Sequence, residues 1–149
     1  MEGCWAEAVI DSSVAVKWFS KEEESDRALR IMDQHVEGTR RLWVSDLLYH
    51  EVANALRYRP DFNEKKLSGA VEELYGLQLN TRSVDPEVIN KASAIAYKGD
   101  LTIYDAVPVA LAQIRGTVCI TADEQTQYKK LKPHGYPVTL LSKEPIDNP

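Results

Sequence analysis

The chain has 149 residues, 44 % of them hydrophobic and 28 % charged, with a formal net charge of −5 at pH 7. That length and apolar share suit one folded domain with its own core and exclude a disordered chain. The negative balance argues against a protein whose main work is coating nucleic acid or an anionic membrane, but not against a nuclease, because local charges or a bound metal can attract phosphate.

Residues 7–11 read as a short buried strand, Ala8-Val9-Ile10 running into Asp11. Ser13 to Phe19 suggest a helical turn. Glu22 to Val36 suggest a longer helix with Ala28, Leu29, Ile31 and Met32 facing inward, broken by Gly38-Thr39. Leu42-Trp43-Val44 is a short strand, and Ser45 reads as the N-cap of the helix behind it. That helix carries Leu48, Val52, Ala55 and Leu56 at helical spacing. A loop bracketed by Pro60 and Asn63 leads to a helix from about Glu64, with Leu67, Ala70, Val71 and Leu74 inward, and residues 77–84 hold a further strand. Asp85-Pro86 is a start signal, a capping acid followed by proline at the first helical position. Val88, Ala92, Ile95 and Ala96 form the buried face of that helix, and Gly99 stops it. Thr102 caps the next helix, which runs to about Arg115 and stops at Gly116. A strand over 118–121, a helix over about 124–132, Gly135 and a strand over 138–141 follow.

The expected domain therefore spans 1–141, with 142–149 as a loose polar tail. Strands that alternate with helices call for an α/β fold with a parallel sheet covered on both faces. Cys4 and Cys119 lie far apart and form no zinc or disulfide pattern. The opening Met1-Glu2-Gly3-Cys4-Trp5-Ala6-Glu7 has no basic and apolar regions of a signal peptide, and no run approaches the about 20 apolar residues of a membrane span. A cytoplasmic protein without a membrane segment is the expectation.

Four acids stand in apolar settings: Asp11 after Ala8-Val9-Ile10, Glu51 on a helix stripe with Leu47, Asn54 and Ala55, Asp105 before the apolar run 106–112, and Asp123 after Val118-Cys119-Ile120-Thr121. Each has an ordinary use alone, as a turn cap, a first-turn acid or a residue that snorkels to solvent. Brought together they would repel unless protonated or bound to a cation, and an all-oxygen set of this kind suits Mg²⁺ or Mn²⁺. In a parallel sheet, Asp11 and Asp123 fall on the same carboxyl edge, where sites form. Asp105 lies near the positive end of its helix dipole. Ser13, Asn54 and Thr121 are placed to support the acids. His35, His50 and His134 are scattered and read as structural or surface residues, and Trp18 and Phe19 as packing residues.

The segments that carry the acids resemble a known family. Val9-Ile10-Asp11-Ser12-Ser13-Val14-Ala15-Val16-Lys17-Trp18-Phe19 resembles the opening of PIN-domain ribonucleases. His50-Glu51-Val52-Ala53-Asn54-Ala55-Leu56, Leu101-Thr102-Ile103-Tyr104-Asp105-Ala106 with Val109-Ala110-Leu111-Ala112, and Thr121-Ala122-Asp123 resemble the second, third and fourth motifs. The short format is similar to VapC-type toxins of type II toxin–antitoxin pairs. The resemblance implies a three-layer α/β/α sandwich around a parallel sheet of about five strands. It also implies a catalytic and metal-binding pocket of Asp11, Glu51, Asp105 and Asp123, and Mg²⁺- or Mn²⁺-dependent cleavage of RNA by an activated water. A homodimer or higher oligomer and a small antitoxin partner are implied as well. A departure is Pro108 inside the third-motif helix, which should kink it or shift its start.

Among the basic residues, Arg57 and Arg59 are the candidate RNA contacts, because they end the helix that bears Glu51; Arg40-Arg41, Lys65-Lys66 and Lys129-Lys130 with Lys132 read as solvated charge. Two alternatives stay open, a non-catalytic PIN-like binding module and a housekeeping RNA-processing nuclease. A receiver domain would want paired acids after the first strand, and a haloacid-dehalogenase-type phosphatase an Asp at position 13, where Ser13 stands. No phosphate-binding glycine motif is present.

Overall fold

The computed structural model describes residues 6–146. The expectations for Cys4, for the first five residues of the opening segment and for residues 147–149 fall outside that range. Five strands, β1 (Ala6–Ile10), β2 (Arg40–Ser45), β3 (Asn80–Arg82), β4 (Cys119–Thr121) and β5 (Val138–Leu140), form one sheet in the order β3-β2-β1-β4-β5. Every pairing is parallel, with Val9 opposite both Trp43 and Cys119, and Ile120 opposite Thr139.

Alternation along the strands divides the core between the two faces. Ala8, Ile10, Leu42, Val44 and Ile120 pack on one side against α1 (Ser12–Ala15), α2 (Ser25–Glu37), α3 (Leu47–Arg57) and α4 (Glu64–Gly76). Val9, Cys119 and Val138 pack on the other against α5 (Pro86–Gly99), α6 (Ile103–Arg115) and the short α7 (Lys129–Leu131). The result is the expected α/β/α sandwich. Among the described residues no helix is long and apolar enough to cross a membrane.

The start signals act as the sequence indicates. Asp85 accepts the Val88 N–H at 3.0 Å and Thr102 accepts that of Asp105 at 3.1 Å, while Gly38 and Gly116 end α2 and α6 with φ of 81° and 67°. Trp18 is a core residue, its indole N–H donating to the Ala28 carbonyl at 2.8 Å. His35 is structural, with its two ring nitrogens on the Leu77 carbonyl and the Leu42 N–H. Leu29, expected inward, is 37 % exposed, because Ala28 and Ile31 already take the buried face of α2.

Four local readings change. Ser45 does not cap α3: it is the last residue of β2, paired with Arg82, and the cap position is Asp46, whose carboxylate instead accepts the Val84 N–H at 3.3 Å. Gly99 does not stop α5 by a left-handed turn. That conformation falls on Asp100 at φ 55°, and Gly99 is the last helical residue, buried where a Cβ would stand 2.5 Å from Leu131. The helix expected over 124–132 opens as a π-turn, Glu124–Tyr128, closed by Tyr128 N–H donating to the Asp123 carbonyl at 3.1 Å, and only then becomes α7. The start of the expected tail is held: Leu141–Lys143 form a 3₁₀ turn, the Glu144 carboxylate meets Arg40 at 2.7 Å, and the Glu144 carbonyl accepts from Arg27. The helix α6, by contrast, starts at its Thr102 cap and runs unbroken through Pro108.

Candidate active site

The strand order reverses at β1: the chain builds outward through β2 and β3, then returns to lay β4 on the other side. At such a switch point a crevice opens beyond the carboxyl ends of the strands. Asp11 follows β1 and Asp123 lies two residues after β4, so both stand at the carboxyl edge of the sheet beside that switch point. Glu51 arrives from α3 and Asp105 from the first turn of α6.

Asp11 is 8 % exposed and held by four donors. Its Oδ2 accepts from Ser13 Oγ at 2.5 Å, Ser13 N at 3.2 Å and Thr121 Oγ1 at 3.3 Å, and its Oδ1 from Gln127 Nε2 at 3.3 Å. Burial still outweighs these bonds and lifts its pKa above the ordinary carboxylate value. Ser13 also ties the two strand ends together, since its hydroxyl accepts the Ala122 N–H at 2.9 Å. Asp123 is fixed by its own backbone, with Thr121 Oγ1 accepting its N–H at 3.0 Å and its Oδ1 accepting the Thr126 N–H at 3.0 Å.

Glu51 is half-buried at the edge of the α3 stripe Leu48, Val52, Leu56. Burial first, then the charges of Asp11 and Asp105, push its pKa up to about 7. Asp105 is raised by burial and by Asp11, with Asp123 adding to the effect and the Thr102 hydroxyl and Lys130 opposing it. These electrostatic links join all four acids. None of the four takes part in a salt bridge among the described residues. A cluster of uncompensated carboxylates is what a divalent cation with oxygen ligands fits. In this conformation no three Asp, Glu, His or Cys side chains among the described residues form a ready coordination shell. Asp11 is turned onto its hydroxyl and amide donors, and Asp123 onto its own turn.

The supporting residues separate. Ser13 and Thr121 bond Asp11 directly. Asn54 is exposed one turn beyond Glu51 and bonds none of the acids among the described residues, and Ala55, expected on the buried stripe, is exposed too. Arg59 pairs with Glu22 at 3.0 Å and with Asp61 at 3.4 Å. Arg57 is exposed, its guanidinium 5.2 Å from the centre of the Tyr58 ring.

Gln127 carries no motif in the sequence. It is 1 % exposed, and its amide nitrogen donates to Asp11 Oδ1 at 3.3 Å and to the Asp105 carbonyl at 2.7 Å. Both neighbours are acceptors, which fixes the amide orientation. No local spacing marks Gln127, because the π-turn over Glu124–Tyr128 breaks the α-helical register to the apolar Leu131.

A PIN-domain family model matches residues 8–131, nearly the whole described chain. Ribonuclease VapC3 of Pyrobaculum aerophilum is 34 % identical over 128 residues, covering 81 % of this chain and 92 % of that protein. Among solved structures, a toxin–antitoxin complex from Klebsiella pneumoniae aligns with a TM-score of 0.59 at 19 % identity, over 80 % of this chain and 88 % of that one. VapC20 of Mycobacterium tuberculosis, described as a sarcin-ricin loop cleaving toxin, aligns with a TM-score of 0.65 at 13 % identity, over 87 % and 95 %. At such identities the structural likeness is one of fold. The family match and the ribonuclease relative together identify this chain as a member of the PIN-domain family, among its VapC ribonucleases.

Proposed function

We propose that this protein is a divalent-cation-dependent ribonuclease and the toxin of a toxin–antitoxin pair. One observation supports the reading before all others: Asp11, Glu51, Asp105 and Asp123, from separate elements, are electrostatically coupled at the switch point and lack ion-pair partners among the described residues. The relative named a ribonuclease supports RNA as substrate. The toxin–antitoxin complex of like fold supports a small antitoxin as partner. A homodimer acting in the cytoplasm belongs to the same reading.

Asp11, Asp105 and Asp123 would hold the cation, Mg²⁺ or Mn²⁺. When bound, it supplies neutralising charge for the scissile phosphate and acidifies a water. Ser13, Thr121 and Gln127 keep the Asp11 carboxylate in place. Glu51 orients the attacking water and accepts its proton, a task suited to a carboxylate that titrates near neutral pH. In-line attack expels the 3′-oxygen and leaves a 5′-phosphate. Arg57, exposed at the end of the helix that carries Glu51, is a candidate contact for the RNA backbone.

The test is cleavage of 5′-labelled single-stranded RNA by purified protein with Mg²⁺ or Mn²⁺, beside EDTA and Asp105→Asn controls. Cutting that needs the cation and falls by about 10²-fold or more in Asp105→Asn is the expected result. Full activity in that variant, or in EDTA, would overturn the assignment.

A further inference from the structure

Gln127 sits at the meeting point of three acid-bearing segments. It belongs to the π-turn that starts at Asp123, and its amide nitrogen reaches the side chain of Asp11 and the backbone of Asp105. One group thus ties the end of β1, the first turn of α6 and the turn after β4. The Asp105 carbonyl it holds lies just after that of Tyr104, whose usual helical donor, the N–H at position 108, is missing because Pro108 has none.

Holding this bridge has an energetic cost. The Gln127 Oε1 atom is buried with no hydrogen-bond partner among the described residues. An unpaired buried amide oxygen keeps its desolvation cost, so an apolar side chain of the same length would serve the core better. Asp11 keeps three other hydrogen bonds without Gln127. The residue is therefore poorly explained as packing and well explained by what its nitrogen holds.

We propose that Gln127 is a positioning residue for the acid cluster: it fixes the Asp11 carboxylate relative to the α6 turn that carries Asp105. This rests on the metal-dependent reading above and deepens it. Groups that orient metal ligands through hydrogen bonds typically contribute about 10- to 100-fold to affinity.

Mn²⁺ alone is the probe. Its affinity for the full-length protein and for Gln127→Met is measured by calorimetry, together with the metal-free Tm of each. Methionine keeps the length and volume while deleting both the donor and the orphan oxygen. The expected result is an affinity lower by about 10- to 100-fold with a Tm unchanged or raised, a combination that a core-filling role would not give. Unchanged affinity overturns the proposal. A lower affinity with a clearly lower Tm also overturns it and assigns Gln127 to the core. Failure of the parent protein to bind Mn²⁺ would instead sink the metal-dependent reading itself, which keeps the two failures apart.

Discussion

Glu51 shows how one side chain reports on its neighbours. A free glutamate titrates near 4.5, whereas burial, Asp11 and Asp105 push this one to about 7 in the folded protein. Its folded value lies above its unfolded value, so the native state binds the proton more tightly. The stability this gives is fully present below about pH 4.5 and is lost as pH rises through 7. The metal-free protein should therefore melt at a lower temperature at pH 8 than at pH 5.5. Glu51→Gln should flatten that slope, leaving only what Asp11 and Asp105 contribute in the same direction. A cation that binds the ionised cluster reverses the balance, so Mn²⁺ should raise the Tm more at pH 8 than at pH 5.5. Thermal melts of parent and variant across this range check all three expectations. A parent whose metal-free Tm climbs with pH would contradict the coupling among the acids.

The α5–α6 corner makes the same point at the scale of an element. The end of α5 must let α7 approach, and the chain must then reverse within a few residues to start α6 at Thr102. The first task falls to Gly99, where an added Cβ would meet Leu131 at 2.5 Å and Leu101 at 2.6 Å. The second falls to Asp100, left-handed at φ 55°. Gly99→Ala forces two leucine ends to move, an overpacking cost of about 1–3 kcal/mol that exceeds the roughly 1 kcal/mol gained in helix propensity. Asp100→Gly relieves left-handed strain of about 1 kcal/mol, partly offset by a freer unfolded chain. Thermal denaturation should rank Asp100→Gly above the parent and Gly99→Ala below it; the opposite ranking would mean that neither the leucine contacts at 99 nor the left-handed strain at 100 limits stability. The corner also marks the limit of reading from sequence. Capping acids and apolar spacing act locally, so Asp85, Thr102 and the Val88 stripe are legible. Whether a glycine is needed for its dihedral or for a distant leucine depends on tertiary packing and is not. Ser45 is illegible for the same reason, because its pairing with Arg82 is a contact between strands remote in sequence. Gln127 is illegible because a π-turn and two bonding partners from other elements define its role.

Across the whole molecule, the sheet keeps stability and chemistry on opposite edges. The acids gather beyond the carboxyl ends of the strands, as the alternation of elements and the position of Asp11 and Asp123 allow one to foresee. The segment after β5 instead leaves that edge, where Lys143 donates to the Tyr128 hydroxyl, and ties down the start of β2. Arg40, the first residue of β2, pairs with Glu144 at 2.7 Å, and both side chains are mostly covered, 19 % and 15 % exposed. Arg27 of α2 donates to the Glu144 carbonyl, so the segment is pinned to sheet and helix together. An ion pair this shielded is worth about 1 kcal/mol, somewhat more than a fully exposed one. For a chain of this size that corresponds to roughly 2–4 °C in Tm. Glu144→Ala should lower the Tm by about that amount and leave Mn²⁺ affinity and RNA cleavage as in the parent, because the lost contact lies across the sheet from the acids. Melting, calorimetry and the labelled-RNA assay on one preparation decide it. If cleavage fell in step with stability, the two edges would be coupled through the sheet, and the separation drawn from the fold would be wrong.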